Sequence, residues 1–196
     1  MFANRFIAFI DACTLADSLR RNLLLTLAEA EFFRLRWSEI VLDETQAAIE
    51  KMRQGKGHQD AAEKAERARR QMEAAFEDAM ILDFDAYLPM CEGLPDPKDK
   101  HVLAAALKTQ AAMIVTENLS DFPAAFLAPL NVEAKSADAF IADTIALDAT
   151  RAVLAIRRMR ERLKNPAMTS DMLLLAMEAR GLTETVDALK QYARLL

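Results

Sequence analysis

Short apolar runs that break off at polar side chains, with helical periodicity between them, constrain the fold of this chain more than any other feature. Phe6-Ile7-Ala8-Phe9-Ile10 is a buried-strand run that delivers Asp11 to its carboxyl end. Met113-Ile114-Val115 delivers Thr116, with Asn118 and Asp121 close behind. Strands this short and this apolar, separated by helices, need cover on both faces, so a parallel sheet in an α/β sandwich is the natural architecture. In open sheets of that kind ligands bind beyond the carboxyl ends of the strands, and that is where these polar residues fall.

The pattern predicts a strand over 6–10, a helix over 14–31, a short strand over 33–36 and a helix over 38–54. Ser38 is a good N-cap for the last of these, and Gly55 and Gly57 stop it. A helix from Asp60 to near Met80 follows, then a short candidate strand at Ile81-Leu82. Leu94-Pro95-Asp96-Pro97 is a rigid connector, because each proline fixes its own φ and biases the residue before it away from helix. Next come a helix carrying Asp99, a strand over 113–115, a turn closed by Pro123 and an edge strand at Asn131-Val132-Glu133. From Ser136 the pattern is wholly helical, with helices over 149–164, 169–179 and 183–194, broken at Asn165-Pro166 and Gly181. The expected organisation is an α/β domain over 1–135 and a helical segment over 136–196.

Three separated acids can meet over such a sheet. Asp11 ends the first strand, and Asp99 opens a helix whose Ala104, Ala105 and Ala106 allow close approach to the sheet. Glu44 lies beside the apolar side of its helix, marked by Ile40, Val41, Ala47, Ala48 and Ile49, while Asp43 points further round. Singly, each has an ordinary reading: a strand-end turn former, a helix-start acid and a helix-surface residue. Together they repel and raise one another's pKa, so a cluster of this kind needs a cation. Oxygen-only ligands suit Mg²⁺ or Mn²⁺. Thr116 and Asn118 either orient ligands or satisfy strand-end backbone groups. His101, two residues beyond Asp99, is expected to point elsewhere on the helix, and Trp37 to pack at a strand end.

Four stretches, Phe9 to Leu15, Arg36 to Glu44, Asp96 to Ala106 and Ile114 to Pro123, resemble in order the successive motifs of PIN-domain nucleases. The likeness is nearest to the VapC-like toxins of bacterial toxin-antitoxin pairs, in a subfamily with an extra helical C-terminal segment. The resemblance implies a PIN-like parallel-sheet α/β/α sandwich and a metal-dependent endoribonuclease. Asp11, Glu44 and Asp99 would form its acidic core, with Asp11 and Asp99 as direct ligands of Mg²⁺ or Mn²⁺, and Glu44 holding a second ion or orienting the water. RNA would be the substrate and an antitoxin protein the partner, and a homodimer is compatible with it. Two positions depart from the family pattern. Cys13 stands where a small hydroxyl or amide residue is common, and Asn118 where many members carry a fourth acid, so either Asp121 serves in its place or that position is neutral. The alternative is a PIN-like module that binds RNA or protein without turnover. A phosphatase with an aspartyl nucleophile would want a second acid two residues after Asp11, where Cys13 stands.

Composition narrows the classes further. A chain of 196 residues, 53% apolar and 28% charged, is an ordinary globular sequence. It has no run of about 18 apolar residues that would suggest a membrane span, and Asp11 interrupts the N-terminal apolar stretch too early for a signal-peptide core. The cytoplasm is the expected compartment. Cys13 and Cys91 stand in no metal-ligand or redox spacing, so they read as small buried or half-buried residues. A net charge of −5 argues against a broad grip on nucleic acid. Two basic runs remain as local candidates: Lys51 to Arg70, and Arg151 to Lys164, where six cations face the single Glu161. Each reads first as a solvated helix face with mixed-sign pairs, and second as a phosphate-binding edge.

Overall fold

The computed structural model describes residues 6–164 and 167–196. The chain divides into two compact units, Met1–Asp17 with Arg34–Lys135, and Ser18–Phe33 with Ser136–Leu196. The second joins the expected helical segment to an excursion from the α/β part.

The first unit begins with β1 (Ile7–Ile10) and α1 (Ala12–Ala16). The chain then leaves for α2 (Ser18–Glu29) of the second unit. It returns with β2 (Arg34–Ser38), α3 (Glu39–Gly55), α4 (Ala61–Ala75), β3 (Met80–Ile81), α5 (Lys100–Lys108), β4 (Met113–Val115), α6 (Ala124–Leu127) and β5 (Glu133–Lys135). The strands pair in parallel in the order β3-β2-β1-β4-β5, as expected for an α/β sandwich. From β1 the chain steps outward to β2 and β3, then resumes on the other side of β1. The order therefore reverses between β1 and β4, and this switch point is where an open sheet offers a ligand crevice. Ile10 pairs with Val115, and the Asp11 N–H donates to the Val115 carbonyl at 3.0 Å. The residues that leave the two strands, Asp11 and Thr116, thus emerge side by side.

Burial explains why these segments hold. Ala8, Phe9 and Ile10 of β1, Ile114 and Val115 of β4, and the run Val102 to Ala106 of α5 are all buried. Alanine across that run lets α5 lie close against β1, β2 and β4. Trp37 is fully buried and meets Phe76 edge to face at 6.0 Å. Ser38 caps α3, its hydroxyl accepting from the Val41 N–H at 3.3 Å. Gly57, at φ +79° just past α3, takes the left-handed conformation that a side chain would disfavour.

Several boundaries differ from the sequence reading, among them the last helix, expected over 183–194, which ends at Lys190. The helix expected over 14–31 is two helices, because Asp17 is extended (φ −74°, ψ 126°) between α1 and α2. The helix from Asp60 stops at Ala75 and gives way to a 3-10 turn at Glu77–Ala79. The edge strand starts at Glu133, two residues late, because Asn131 adopts φ 57° to close the turn Ala128–Leu130.

In the second unit α2 buries Leu19, Leu23, Leu24 and Leu27 and packs on α7 (Ala137–Leu147) and α8 (Ala149–Arg162). Phe33 meets Phe140 edge to face at 4.9 Å. Ser136 caps α7, accepting from Ala139 N–H at 3.2 Å. After α9 (Ser170–Glu178) the chain turns at Gly181 (φ +74°) into α10 (Thr183–Lys190). The first turn of α10 is capped from α7: Asp138 accepts the Glu184 and Thr185 N–H groups at 2.9 and 2.8 Å. The break expected at Asn165-Pro166 lies outside the described residues. Among the described residues no helix is long and apolar enough to cross a membrane.

Candidate active site

The site starts from the end of β1. Asp11 is only 5% exposed, and its extended backbone lets its own side chain turn back as the cap of α1. Oδ1 accepts the Ala12 N–H at 2.7 Å, and Oδ2 accepts the Thr116 hydroxyl at 2.7 Å and the Cys13 thiol at 3.0 Å. Thr116 in turn accepts the Asn118 N–H at 3.1 Å, and the Cys13 sulfur accepts the Glu117 N–H at 3.3 Å. Cys13 therefore stitches the loop after β1 to the loop after β4. Burial, then the charge of Asp11 and the hydrogen bond to it, push the thiol up to about 11, so at neutral pH it stays protonated and donates.

Asp99 arrives from the other side of the sequence, as the last residue of a 3-10 turn, Pro97–Asp99, that Asp96 caps through the Lys98 N–H at 2.9 Å. Burial first, then the negative charges of Asp11, Asp96 and Asp121, raise its carboxyl to about 6, against a smaller opposing influence of His101. Four carboxylates are thus near enough for Asp99 to feel the other three. Among the described residues no Lys or Arg pairs with Asp11, Asp99 or Asp121, and no three His, Cys, Asp or Glu side chains form a ready metal cluster.

Glu44 sits on α3 with its side chain 48% exposed, and its Oε1 lies 3.4 Å from Nε2 of His101. The sequence reading turns His101 away from Asp99 toward a surface or packing role, and its largely buried ring lies beside Glu44. Asn118 is exposed and is held through its backbone, its N–H donating to Thr116 and its carbonyl accepting the Asp121 N–H at 3.0 Å, whereas Asp121, half-buried at the end of the turn Leu119–Asp121, carries charge that reaches Asp99.

Most cations of the two basic runs are paired within the protein. On α3 and α4, Arg69 is 19% exposed and binds Asp43, Glu73 at 3.0 Å and Glu39 at 3.8 Å. Arg53 and Lys64 share Asp60, while Arg67 pairs with Glu63 and Arg70 with Glu66. On α8, Arg151 lies 4.1 Å over the Phe32 ring and Arg157 pairs with Glu161 at 2.9 Å. Arg160 donates to the Leu196 and Met168 carbonyls at 2.8 and 2.7 Å, and Arg162 meets Glu29 at 3.4 Å.

The parallel sheet with flanking helices is the fold of the family to which the chain is matched. The PIN domain model matches residues 8–120, more than half of the chain, and the chain belongs to the PIN-domain family as a VapC-like member with a helical C-terminal extension. A model described as the VapC50 C-terminal domain matches residues 137–191. Over 82 residues the chain is 42% identical to a Mycobacterium tuberculosis (strain ATCC 25618 / H37Rv) protein described as "Putative ribonuclease VapC50"; the match spans 41% of this chain and 47%, about half, of that relative. No solved structure matches.

Proposed function

We propose that this protein is a divalent-metal-dependent endoribonuclease, the toxin of a toxin-antitoxin pair, restrained in a reducing cytoplasm by a partner antitoxin. The observation that carries this reading is the unneutralised acid group at the β1–β4 switch point, where burial and three neighbouring carboxylates raise Asp99 to about 6. Family membership and the printed name of the relative support RNA as the substrate. Both cysteines are free thiols, in keeping with a reducing compartment.

The donor set fits a hard cation. Asp11 and Asp99 offer only oxygen, and Mg²⁺ is held by one or two carboxylates together with waters and substrate phosphates, so a three-ligand protein cluster is not required. A bound Mg²⁺ or Mn²⁺ would supply Lewis acidity and an activated water for phosphodiester hydrolysis. The chain's own part is to fix that site. Thr116 and Cys13 hold Asp11 through Oδ2, the 3-10 turn at Pro97–Asp99 presents Asp99, and Glu44, which is not among the charges acting on Asp99, is assigned to orienting water on the family resemblance. Asp121 serves as the fourth acid, because its charge reaches Asp99, and Asn118 contributes through its backbone N–H to Thr116.

One observation favours a second reading, a module that binds RNA or protein without turnover: Asn118 is neutral where many family members have an acid, and most cations of the basic helix faces are spent on internal pairs. Incubation of total RNA with the protein in Mn²⁺ or Mg²⁺, against chelator, separates the two. Metal-dependent fragments that vanish with Asp99→Asn support the nuclease, whereas retention of RNA without cleavage supports the binding module.

A further inference from the structure

We propose that His101 is a positioning residue for the Glu44 carboxylate, the acid to which the nuclease reading above gives the water; the inference rests on that reading. Glu44 is half-exposed on α3 and has several rotatable bonds, so by itself it samples many orientations. His101 has a rigid ring, is 13% exposed, and brings Nε2 to 3.4 Å from Glu44 Oε1. The two groups are close without forming a directed hydrogen bond, and in the absence of substrate such pairs are often long or poorly aligned.

The other ring nitrogen indicates which way the ring is protonated. Nδ1 is buried and has no hydrogen-bond partner. A proton on Nδ1 would bury an unpaired N–H donor, whereas the Nε2–H tautomer leaves only a lone pair unmatched there and turns an N–H toward Glu44. Position in the chain strengthens the case. His101 is the second residue of α5 and follows Asp99 by two, so one short segment sets both the buried acid of the site and the partner of Glu44. An imidazole that orients a carboxylate in this way adds no reacting group of its own; it removes rotational freedom from one that acts.

A kinetic double-mutant cycle on the full chain with Mn²⁺ and an RNA substrate tests the assignment. His101→Leu should lower kcat about 10- to 100-fold, the range for partners that orient a site residue, with KM little changed. His101→Gln, whose amide nitrogen reaches the place of Nε2, should restore most of the rate. In a Glu44→Gln background His101→Leu should add almost nothing. Full multiplication of the two losses, or a folded His101→Gln as impaired as His101→Leu, would overturn the proposal. The pair is read separately by ¹⁵N NMR of the metal-free protein, which requires no turnover: the His101 ring should show the Nε2–H tautomer, and its signals should move in Glu44→Gln. Unmoved signals would overturn the pairing even in an active enzyme, whereas moved signals in a wild-type protein that cuts no RNA would place the failure in the nuclease reading.

Discussion

The acids along α3 and α4 and the acids at the end of the sheet belong to one compact unit, yet the chain treats them in opposite ways. Asp43 and Glu73 close on Arg69, Asp60 takes Arg53 and Lys64, and Glu63 and Glu66 have arginines one turn away. At the carboxyl end of the sheet, Asp11 receives only neutral donors, the Thr116 hydroxyl, the Cys13 thiol and a backbone N–H, while Asp99 carries the repulsion of three neighbours. Surface pairs each contribute little, at most about 1 kcal/mol, but they leave no charge in want of a partner. Among the described residues the sheet-end acids have no Lys or Arg partner, and this difference is what the proposed cation site rests on.

The largest expected contrast is in activity. Asp99→Asn should lower RNA cleavage at least about 100-fold, the cost of removing one charge-stabilising group, while circular dichroism stays unchanged. Arg69→Ala should leave cleavage intact. A loss of cleavage with Arg69→Ala equal to that of Asp99→Asn would erase the distinction between the two groups of acids.

Stability should divide the other way. Asp138 of the helical unit is an acid fully used in structure, since it caps α10 across two helices. Asp138→Ala should cost about 1 kcal/mol, the usual worth of a cap, seen as a lower Tm with normal cleavage. In chelator, Asp99→Asn should instead raise Tm at pH 8. The Asp99 carboxyl rises from its ordinary 3.8 to about 6 in the folded protein. The stability tied to its protonated form is therefore complete below about pH 4 and is lost as pH climbs through about 6. The advantage of the amide should close by pH 4, and an advantage that grows on acidification would refute the assignment.

How much of this could be read from the sequence depends on how local the physics is. Ser38 and Ser136 act on backbone three residues away, β4 falls where its apolar run ends, and Asp11 follows from the run before it. The Cys13 to Thr116 contact spans 103 positions, and no local pattern encodes it. The approach of His101 to Glu44 also joins two helices far apart in the sequence. The helix over 14–31 was drawn too long because its apolar residues continue across Asp17, where backbone conformation alone marks the break. The grouping of α2 with the C-terminal helices is likewise a fact of packing and not of sequence proximity.

A smaller effect sharpens the picture of Cys13. With its thiol pushed up to about 11, almost none is thiolate at pH 7.5, and only the thiolate reacts readily. Alkylation by iodoacetamide should be slow in the native protein and fast in denaturant. Rapid labelling of Cys13 in the folded state would mean that the thiol is not held by Asp11 and Thr116 as described.

The central claim is that the unpaired acids at the end of β1 form a cation site, and thermal melting with and without Mn²⁺ tests it most directly. An ion that binds only the folded chain stabilises it by RT ln(1 + [L]/Kd), about 2.7 kcal/mol at roughly 100 times Kd. Wild type should melt higher in saturating Mn²⁺ than in chelator, and Asp11→Asn should gain clearly less from the same addition. Equal gains in the two proteins, or none in wild type, would contradict the claim.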